Sequence, residues 1–450
     1  MSDLNDVQNY KYLEKELKIA INENDKKLVT NLIEKINIAD LAITISEYNH
    51  EEKLAFVNII DDNFPADLFL KLHNSVSEEF IQLIGPKKSA KIIQSLESPE
   101  ILSILEEVSE VIRNQIRHFF NKETKEELKT GFSYPENSAG RLMQRNFISV
   151  PKHWNISQTI KYCCKNKEVI SNNFYGVFVV DPYFKPIGII TSKDLIINDP
   201  KTIVENIMNK EVISFNYLTE EQELAMNFKK YDLSFAPIVN NDGRMLGFTT
   251  QNTAIEVIEE SVSDDILHLG GIIESDIYTK FIQTIKQRFP WLFLNLITAI
   301  IASIVISIFD KNIEAIVALA VLMPIIASMG GNAGTQTVTI AVRSLARKEL
   351  TAANSSKIIL KEFLIGITNG IFFSIISFLL ITITYDIKLA ILFSIATVIT
   401  LGIAGLSGAI IPIIVYRLKG DPAISSGVIL TTITDVIAFL SFLGLASLII

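Results

Sequence analysis

Asp435 is the only ionisable side chain in the apolar stretch from Pro422 to Ile450, and it lies near the middle. A charge at the centre of a bilayer costs about 2.5–3.5 kcal/mol on insertion scales, so such residues face the protein interior and usually handle ions. A second polar set sits in another apolar stretch. Pro324 is followed by Gly330-Gly331-Asn332-Ala333-Gly334-Thr335-Gln336. Proline removes a backbone hydrogen bond, and each glycine weakens a helix by about 1 kcal/mol. The run therefore predicts a break in the helix. Unwound backbone at membrane depth is tolerated where it lines a wet cavity. Freed carbonyls with the amides of Asn332 and Gln336 would line an ion path. Close helix packing through small residues is the competing reading, and the two amides favour the path.

These residues need a membrane to act in. Runs of about 20 apolar residues span a bilayer, and five occur: Trp291–Phe309, Ile313–Val342, Phe363–Thr384, Leu389–Tyr416 and Ala423–Ile450. Residues 290–450 hold nine Lys and Arg against seven Asp and Glu, leaving 32 and 43 in residues 1–289. An acidic water-soluble module thus precedes an apolar one. Its charge disfavours nucleic acid as a partner and is compatible with cations.

Basic loops stay cytoplasmic. Lys280, Lys286 and Arg288 precede the first span. Arg343, Arg347, Lys348, Lys357 and Lys361 separate the second from the third, and Arg417 and Lys419 follow the fourth. The other two loops carry only Lys311 and Lys388. The expectation is a multi-pass plasma-membrane protein, its soluble module cytoplasmic and its C-terminus outside. The polar start, Met1 to Lys18, predicts no cleaved signal peptide. Adjacent Cys163 and Cys164 fit a reducing compartment. No phosphate loop, nucleophile constellation or paired catalytic carboxylates stand out, so enzyme activity is not expected.

Residues 1–128 read as short helices, with Leu28, Leu32, Ile36 and Leu68, Leu72 at helical spacing. Pro65, Pro86 and Pro99 fall near helix starts. Residues 138–258 contain a repeat. Val179-Val180-Asp181 with Gly188-Ile189-Ile190-Thr191 matches Ile238-Val239-Asn240 with Gly247-Phe248-Thr249-Thr250. The upstream stretch Met143…Phe147-Ile148-Ser149-Val150 pairs with Met208…Val212-Ile213-Ser214. Two copies of one strand–turn–strand–helix unit are implied. The pair resembles a tandem CBS domain, a module that often binds adenine nucleotide. Residues 254–280 begin with an amphipathic helix that connects it to the membrane domain, 285–450.

The motif from Pro324 to Gln336, Asp421-Pro422-Ala423, Thr434-Asp435 and the stretch Tyr134–Met143 together resemble the MgtE family of magnesium channels. The resemblance implies a multidomain fold: an α-helical superhelical N-domain, an α/β tandem CBS pair, and an α-helical membrane domain with five transmembrane helices. It implies a homodimer with the pore between subunits, lined by Pro324, Gly330, Gly331, Gly334 and Thr434. It implies a Mg²⁺ site at Asp435 with Asn332 and Gln336. Mg²⁺ demands octahedral oxygen geometry and gives up water reluctantly. Two facing Asp435 carboxylates would repel without a divalent ion between them. Transport of Co²⁺, Ni²⁺ or Mn²⁺ is an alternative, disfavoured by the lack of His and Cys near the path. A non-conducting nucleotide sensor is another.

In the family, cytoplasmic Mg²⁺ is held to close the pore by bridging acids. The connecting helix keeps Glu256, Glu259, Glu260, Asp264 and Asp265. Of these, Glu259, Asp264 and Asp265 are expected metal ligands and Glu256 and Glu260 gating residues. Gln251-Asn252 stands where the family tends to have aspartates, and Ser103 where one is common. These departures predict conduction that persists at Mg²⁺ levels which close typical relatives.

Overall fold

The structure is a computed structural model and describes residues 2–167, 174–272, 281–351 and 353–449. The chain divides into two compact units, one running through Ser261 and the other starting at Val262.

The first unit opens with a helical layer. It comprises α1 (Ser2–Asn22), α2 (Lys26–Lys35), α3 (Ile38–Ser46), α4 (His50–Ile60), α5 (Asn74–Ile84), α6 (Pro86–Ile93), α7 (Ser98–Glu107), α8 (Glu110–Phe119) and α9 (Lys122–Gly131). The capping chemistry sets the starts. Asn49 and Glu52 form a capping box at α4, and Glu97 and Glu100 form one at α7. Pro86 and Pro99 occupy the first turns of α6 and α7, where a missing N–H costs nothing. Pro65 precedes a short 3₁₀ turn. One continuous apolar core, including Phe56, Phe69 and Phe80, holds these short helices together.

The repeat follows. After α10 (Ala139–Leu142) come β1 (Ser149–Pro151), α11 (Ile156–Lys165), β2 (Gly176–Val180), β3 (Pro186–Thr191), α12 (Ser192–Ile197) and α13 (Val204–Ile207). The second copy is β4 (Phe215–Asn216), α14 (Glu221–Tyr231), β5 (Phe235–Val239), β6 (Met245–Thr250) and α15 (Gln251–Leu269). Each copy forms a three-stranded sheet, in the orders β1-β2-β3 and β4-β5-β6. The register repeats residue for residue. Val179 opposes Gly188 as Ile238 opposes Gly247, and both hairpins shift register one residue later. The copies also exchange a bridge: Gln144 pairs with Phe248, and Asn209 with Ile189. A Cβ on Gly188 would run into Met208, and one on Gly247 into Met143 and the Gln144 carbonyl. The two upstream methionines of the repeat therefore pack against the glycines of the opposite copy.

The second unit takes the end of α15 from Val262, then α16 (Phe281–Ser307), α17 (Asp310–Ala315), α18 (Ala318–Ala346), α19 (Ser355–Thr384), α20 (Ile387–Arg417) and α21 (Pro422–Ile449). Among the described residues, α16, α18, α19, α20 and α21 are long and apolar enough to cross a membrane. Helix α20 is the most enclosed of them and packs against α18, α19 and α21.

The expected break in the second span is not present. Helix α18 runs without interruption through Pro324 and the glycine run. Interhelical contact supplies the reason. A Cβ on Gly330 would lie 2.6 Å from Thr400 Cγ2, and one on Gly334 would lie 2.8 Å from Leu430 Cδ1. The glycines admit α20 and α21 to close range, and that packing holds the helix despite its low intrinsic propensity.

Candidate ion path and acidic seam

Although α18 is unbroken, its two faces differ sharply. Gly330, Gly334, Thr337 and Val338 are buried against neighbouring helices. Asn332, Thr335, Gln336 and Thr339 are exposed at spacings of three and four residues. They form a polar stripe along a membrane-length helix. Thr335 donates to the Gly331 carbonyl at 2.8 Å, and Thr339 to the Thr335 carbonyl at 2.9 Å. Their hydroxyl oxygens keep lone pairs for an outside partner. No freed backbone carbonyl contributes, so the amides and hydroxyls carry the polarity.

Helix α21 supplies the neighbouring wall. Leu430 faces Gly334, and Thr434 lies beside Gly330. Thr434 is buried and donates back to the Leu430 carbonyl at 3.1 Å. It serves packing, whereas Asp435 next to it is half-buried. Asp435 makes no hydrogen bond or ion pair with any described residue. Gly427, Thr431 and Asp435 recur every four residues on α21. A Cβ on Gly427 would meet nothing within 4 Å, and Thr431 is exposed. Gly331 likewise faces open space. Of the expected pore-lining set, Gly330, Gly334 and Thr434 are thus helix contacts. Asn332, Gln336 and Asp435 stand on the outer faces of α18 and α21. The sequence reading missed Thr335, Thr339 and Thr431, although their spacing from Asn332 and Asp435 was the signal for them.

The acids of α15 fall in two places. In the first unit, Glu256 is close enough to Glu100 to repel it, and Glu260 acts likewise on Glu106 and Glu107. Surrounding protein pushes the Glu107 carboxyl up to about 7 by desolvation, and Glu260 adds repulsion. The residue keeps exposed surface, but its carboxyl sits among neighbours that thin out water. Glu97, Glu100 and Glu106 are also raised, chiefly by desolvation. Arg141 opposes this at one end. Its Nε lies 3.0 Å from Glu106 Oε1, out of line for a hydrogen bond, and its Nη1 donates to the Gly131 carbonyl at 3.2 Å. Helix α7 thereby lays an acidic edge along α15. Ser103, on that edge, bonds Glu107 Oε1 at 3.4 Å.

In the second unit, Asp421 caps α21, accepting from the Ala423 amide at 2.7 Å. Its other oxygen meets His268 Nδ1 at 2.8 Å. Burial raises the Asp265 carboxyl, and Asp421 raises it further. Glu259 and Asp264 are exposed, and Glu259 has no polar partner among the described residues. Among the described residues no three His, Cys, Asp or Glu side chains lie close enough together to hold a metal. Glu259, Asp264 and Asp265 therefore do not converge as one ligand set. At 100° per residue, positions 259 and 264 are about 140° apart around the helix. His268 and Glu107 were not singled out from sequence, because neither lies in a recognisable spacing.

The family model MgtE, described as a divalent cation transporter, matches residues 323–445. The MgtE intracellular N domain matches residues 36–137, and the CBS domain matches residues 139–199. The "Magnesium transporter MgtE" of Bacillus subtilis is 26% identical over 448 residues, covering 98% of each chain. That of Thermus thermophilus is 26% identical over 444 residues, covering 96% of this chain and 98% of its own. Among solved structures, the soluble part of a magnesium transporter aligns with a TM-score of 0.51 at 20% identity, covering 56% of this chain and 99% of that one. The cytosolic domain of the Mg²⁺ channel MgtE in complex with ATP aligns at 0.51 and 22% identity, covering 54% and 99%. At these identities the two structures establish the fold of the soluble region alone. The N-domain, CBS and transporter models thus match in that order along one chain, which carries the domains of the MgtE family.

Proposed function

We propose that this protein is a Mg²⁺-selective channel that admits magnesium passively across the plasma membrane. It works as a homodimer with the conducting path between two copies of the α18–α21 face. One observation carries the reading: a half-buried Asp435, with no polar partner among the described residues, beside a polar stripe on a membrane-length helix. Lipid cannot satisfy such a surface, so water, a cation or a second copy must cover it. Paired Asp435 carboxylates, the amides of Asn332 and Gln336, and the hydroxyls of Thr335, Thr339 and Thr431 make an all-oxygen lining. That suits a Mg²⁺ ion that keeps much of its hydration shell. Softer metals such as Co²⁺ and Ni²⁺ would find no imidazole or thiolate on this face.

The soluble region lies in the cytoplasm, and the C-terminus outside, following the basic loops. Cytoplasmic Mg²⁺ closes the path by settling between like-charged acids, Glu100 with Glu256 and Glu107 with Glu260. Asp265 and Asp421 form a third such pair. With Ser103 and Gln251-Asn252 carrying no acid, closure needs more Mg²⁺ than in typical relatives. The CBS pair binds adenine nucleotide, a reading supported by the ATP complex of the relative's cytosolic domain. Purified protein in liposomes tests the central claim. Wild type should pass Mg²⁺ and Asp435→Asn should not. Equal flux in both would remove Asp435 from the path, and no flux in either would favour a nucleotide sensor.

A further inference from the structure

A second membrane-domain acid has no part in that path. Glu362 lies in the second turn of α19 and is only 7% exposed. Burying a carboxylate in a membrane domain is costly, and such groups are kept for a purpose and a partner. The sequence around it offers lysines: Lys357 and Lys361 are nearby, both exposed. Neither forms an ion pair with Glu362 among the described residues. The carboxylate turns the other way, and its Oε2 lies 3.3 Å from Thr337 Oγ1 on α18. Thr337 is itself buried and also touches the Ala333 carbonyl of its own helix at 3.3 Å.

The surrounding backbone is pinched at this level. Glu362, Gly366 and Gly370 form one buried stripe on α19. A Cβ on Gly405 of α20 would lie 2.6 Å from the Glu362 carbonyl, and one on Gly408 would lie 2.8 Å from both the Gly334 carbonyl and Thr337 Cβ. Three helices thus meet around one side-chain contact. Thr337 directly follows Gln336, about 100° round the helix. Any rotation of α18 that releases Thr337 carries Asn332, Thr335, Gln336 and Thr339 with it.

We propose that Glu362 is a positioning residue whose contact with Thr337 fixes the rotation of α18, and so aims the polar stripe beside Asp435. The inference rests on the ion path proposed above. Glu362 does not touch the ion; it acts through Thr337.

The test uses full-length protein in liposomes, in a background with Cys163 and Cys164 replaced by serine. Gln336→Cys reports the stripe through its rate of modification by a charged, water-soluble thiol reagent. Thr337→Val and Glu362→Ala should each slow that modification by about fivefold, the scale of one interhelical side-chain hydrogen bond. The double variant should be no slower than either single one, because both remove the same contact. Glu362→Gln keeps a hydrogen-bonding partner and should recover most of the rate. Without the reporter, the same variants should shift the half-saturating Mg²⁺ concentration in the same order. The proposal is overturned if Thr337→Val leaves the rate unchanged, if the two effects multiply, or if Glu362→Gln is as slow as Glu362→Ala. Should Glu362→Ala fail to insert, Thr337→Val and Glu362→Gln still decide. Asp435→Asn is measured alongside: normal flux there would sink the ion path, while the modification rates would still judge the contact.

Discussion

The molecule holds carboxylates in two settings, and the contrast explains what each can do. Along α7 and α15, acids face acids. Desolvation raises Glu100 and Glu107, and Glu256 and Glu260 add repulsion to them in turn, in a partly dehydrated seam. Within the membrane-spanning helices the acids are kept apart. Asp435 stands half-buried with no polar partner among the described residues, and Glu362 is buried against a threonine. A pair of facing acids responds to whatever cation is nearby, because binding removes repulsion. A single acid inside an apolar domain has a fixed address, and its setting decides whether it meets an ion or a helix. On the function proposed above, the seam senses, and the membrane acids conduct and aim.

Removing the charge at Asp435 tests that division most severely. Asp435→Asn should cut Mg²⁺ flux by about two orders of magnitude or more, since a lone intramembrane charge has no neighbour to replace it. Flux into liposomes is the measurement. Glu107→Gln in the seam should leave maximal flux intact and alter only the Mg²⁺ level that closes the path. If both variants lost flux equally, the distinction between the regions would collapse.

The next effect is on packing. A Cβ on Gly366 would strike the Leu401 carbonyl, which is backbone and cannot move aside. A Cβ on Gly334 would meet the end of the Leu430 side chain, which can change rotamer. Gly366→Ala should therefore cost about 1–3 kcal/mol of membrane-domain stability, the usual range for overpacking. Gly334→Ala should cost much less. Thermal aggregation of the full-length protein in detergent would rank them, and the reverse order would mean the glycines do not mark the tight contacts.

Protonation separates the regions more gently. Glu107 titrates near 7 in the folded protein against an ordinary 4.5. A raised carboxyl means that the α7–α15 contact contributes fully below about pH 4.5 and weakens as pH rises through 7. Mg²⁺ needs the ionised form, so its protection of this seam should grow from pH 5 to pH 8. Hydrogen exchange of α7 and α15 with and without Mg²⁺ would show it, and Glu107→Gln should flatten the trend. A Mg²⁺ effect independent of pH would remove Glu107 from the seam's chemistry.

How much of this could be read from sequence follows from the kind of signal each feature leaves. The hairpin repeat was legible because strand register is periodic: Val179 over Gly188 reappears as Ile238 over Gly247. The spans were legible from length and hydropathy. The break in α18 was misread, since glycine and proline propensities describe an isolated helix. In the protein, Thr400 and Leu430 fill the space those glycines leave. The polar stripe was half legible, because amides stand out in an apolar run and threonines do not. Glu362 was hidden at the edge of a lysine-rich loop, where an acid looks solvated. Only the rotation of α19 shows that it points inward while Lys361 points out.

The smallest expected effect concerns a position where the acid is missing. Gln251 and Asn252 open α15 and are exposed. An aspartate in the first turn of a helix meets the positive end of its dipole, worth about 0.3–1 kcal/mol at low salt. Asn252→Asp should therefore stabilise the soluble region slightly even without Mg²⁺, and salt should erase that gain. If the position also belongs to the sensing seam, the added acid should increase the further stabilisation on adding Mg²⁺ and lower the Mg²⁺ needed for closure by about two- to fivefold, the size of one weak oxygen ligand. Melting temperatures with and without Mg²⁺ separate the two contributions. A gain that is equal with and without Mg²⁺ would confine the position to helix capping, and would leave Glu100, Glu107, Glu256 and Glu260 as the seam's working acids.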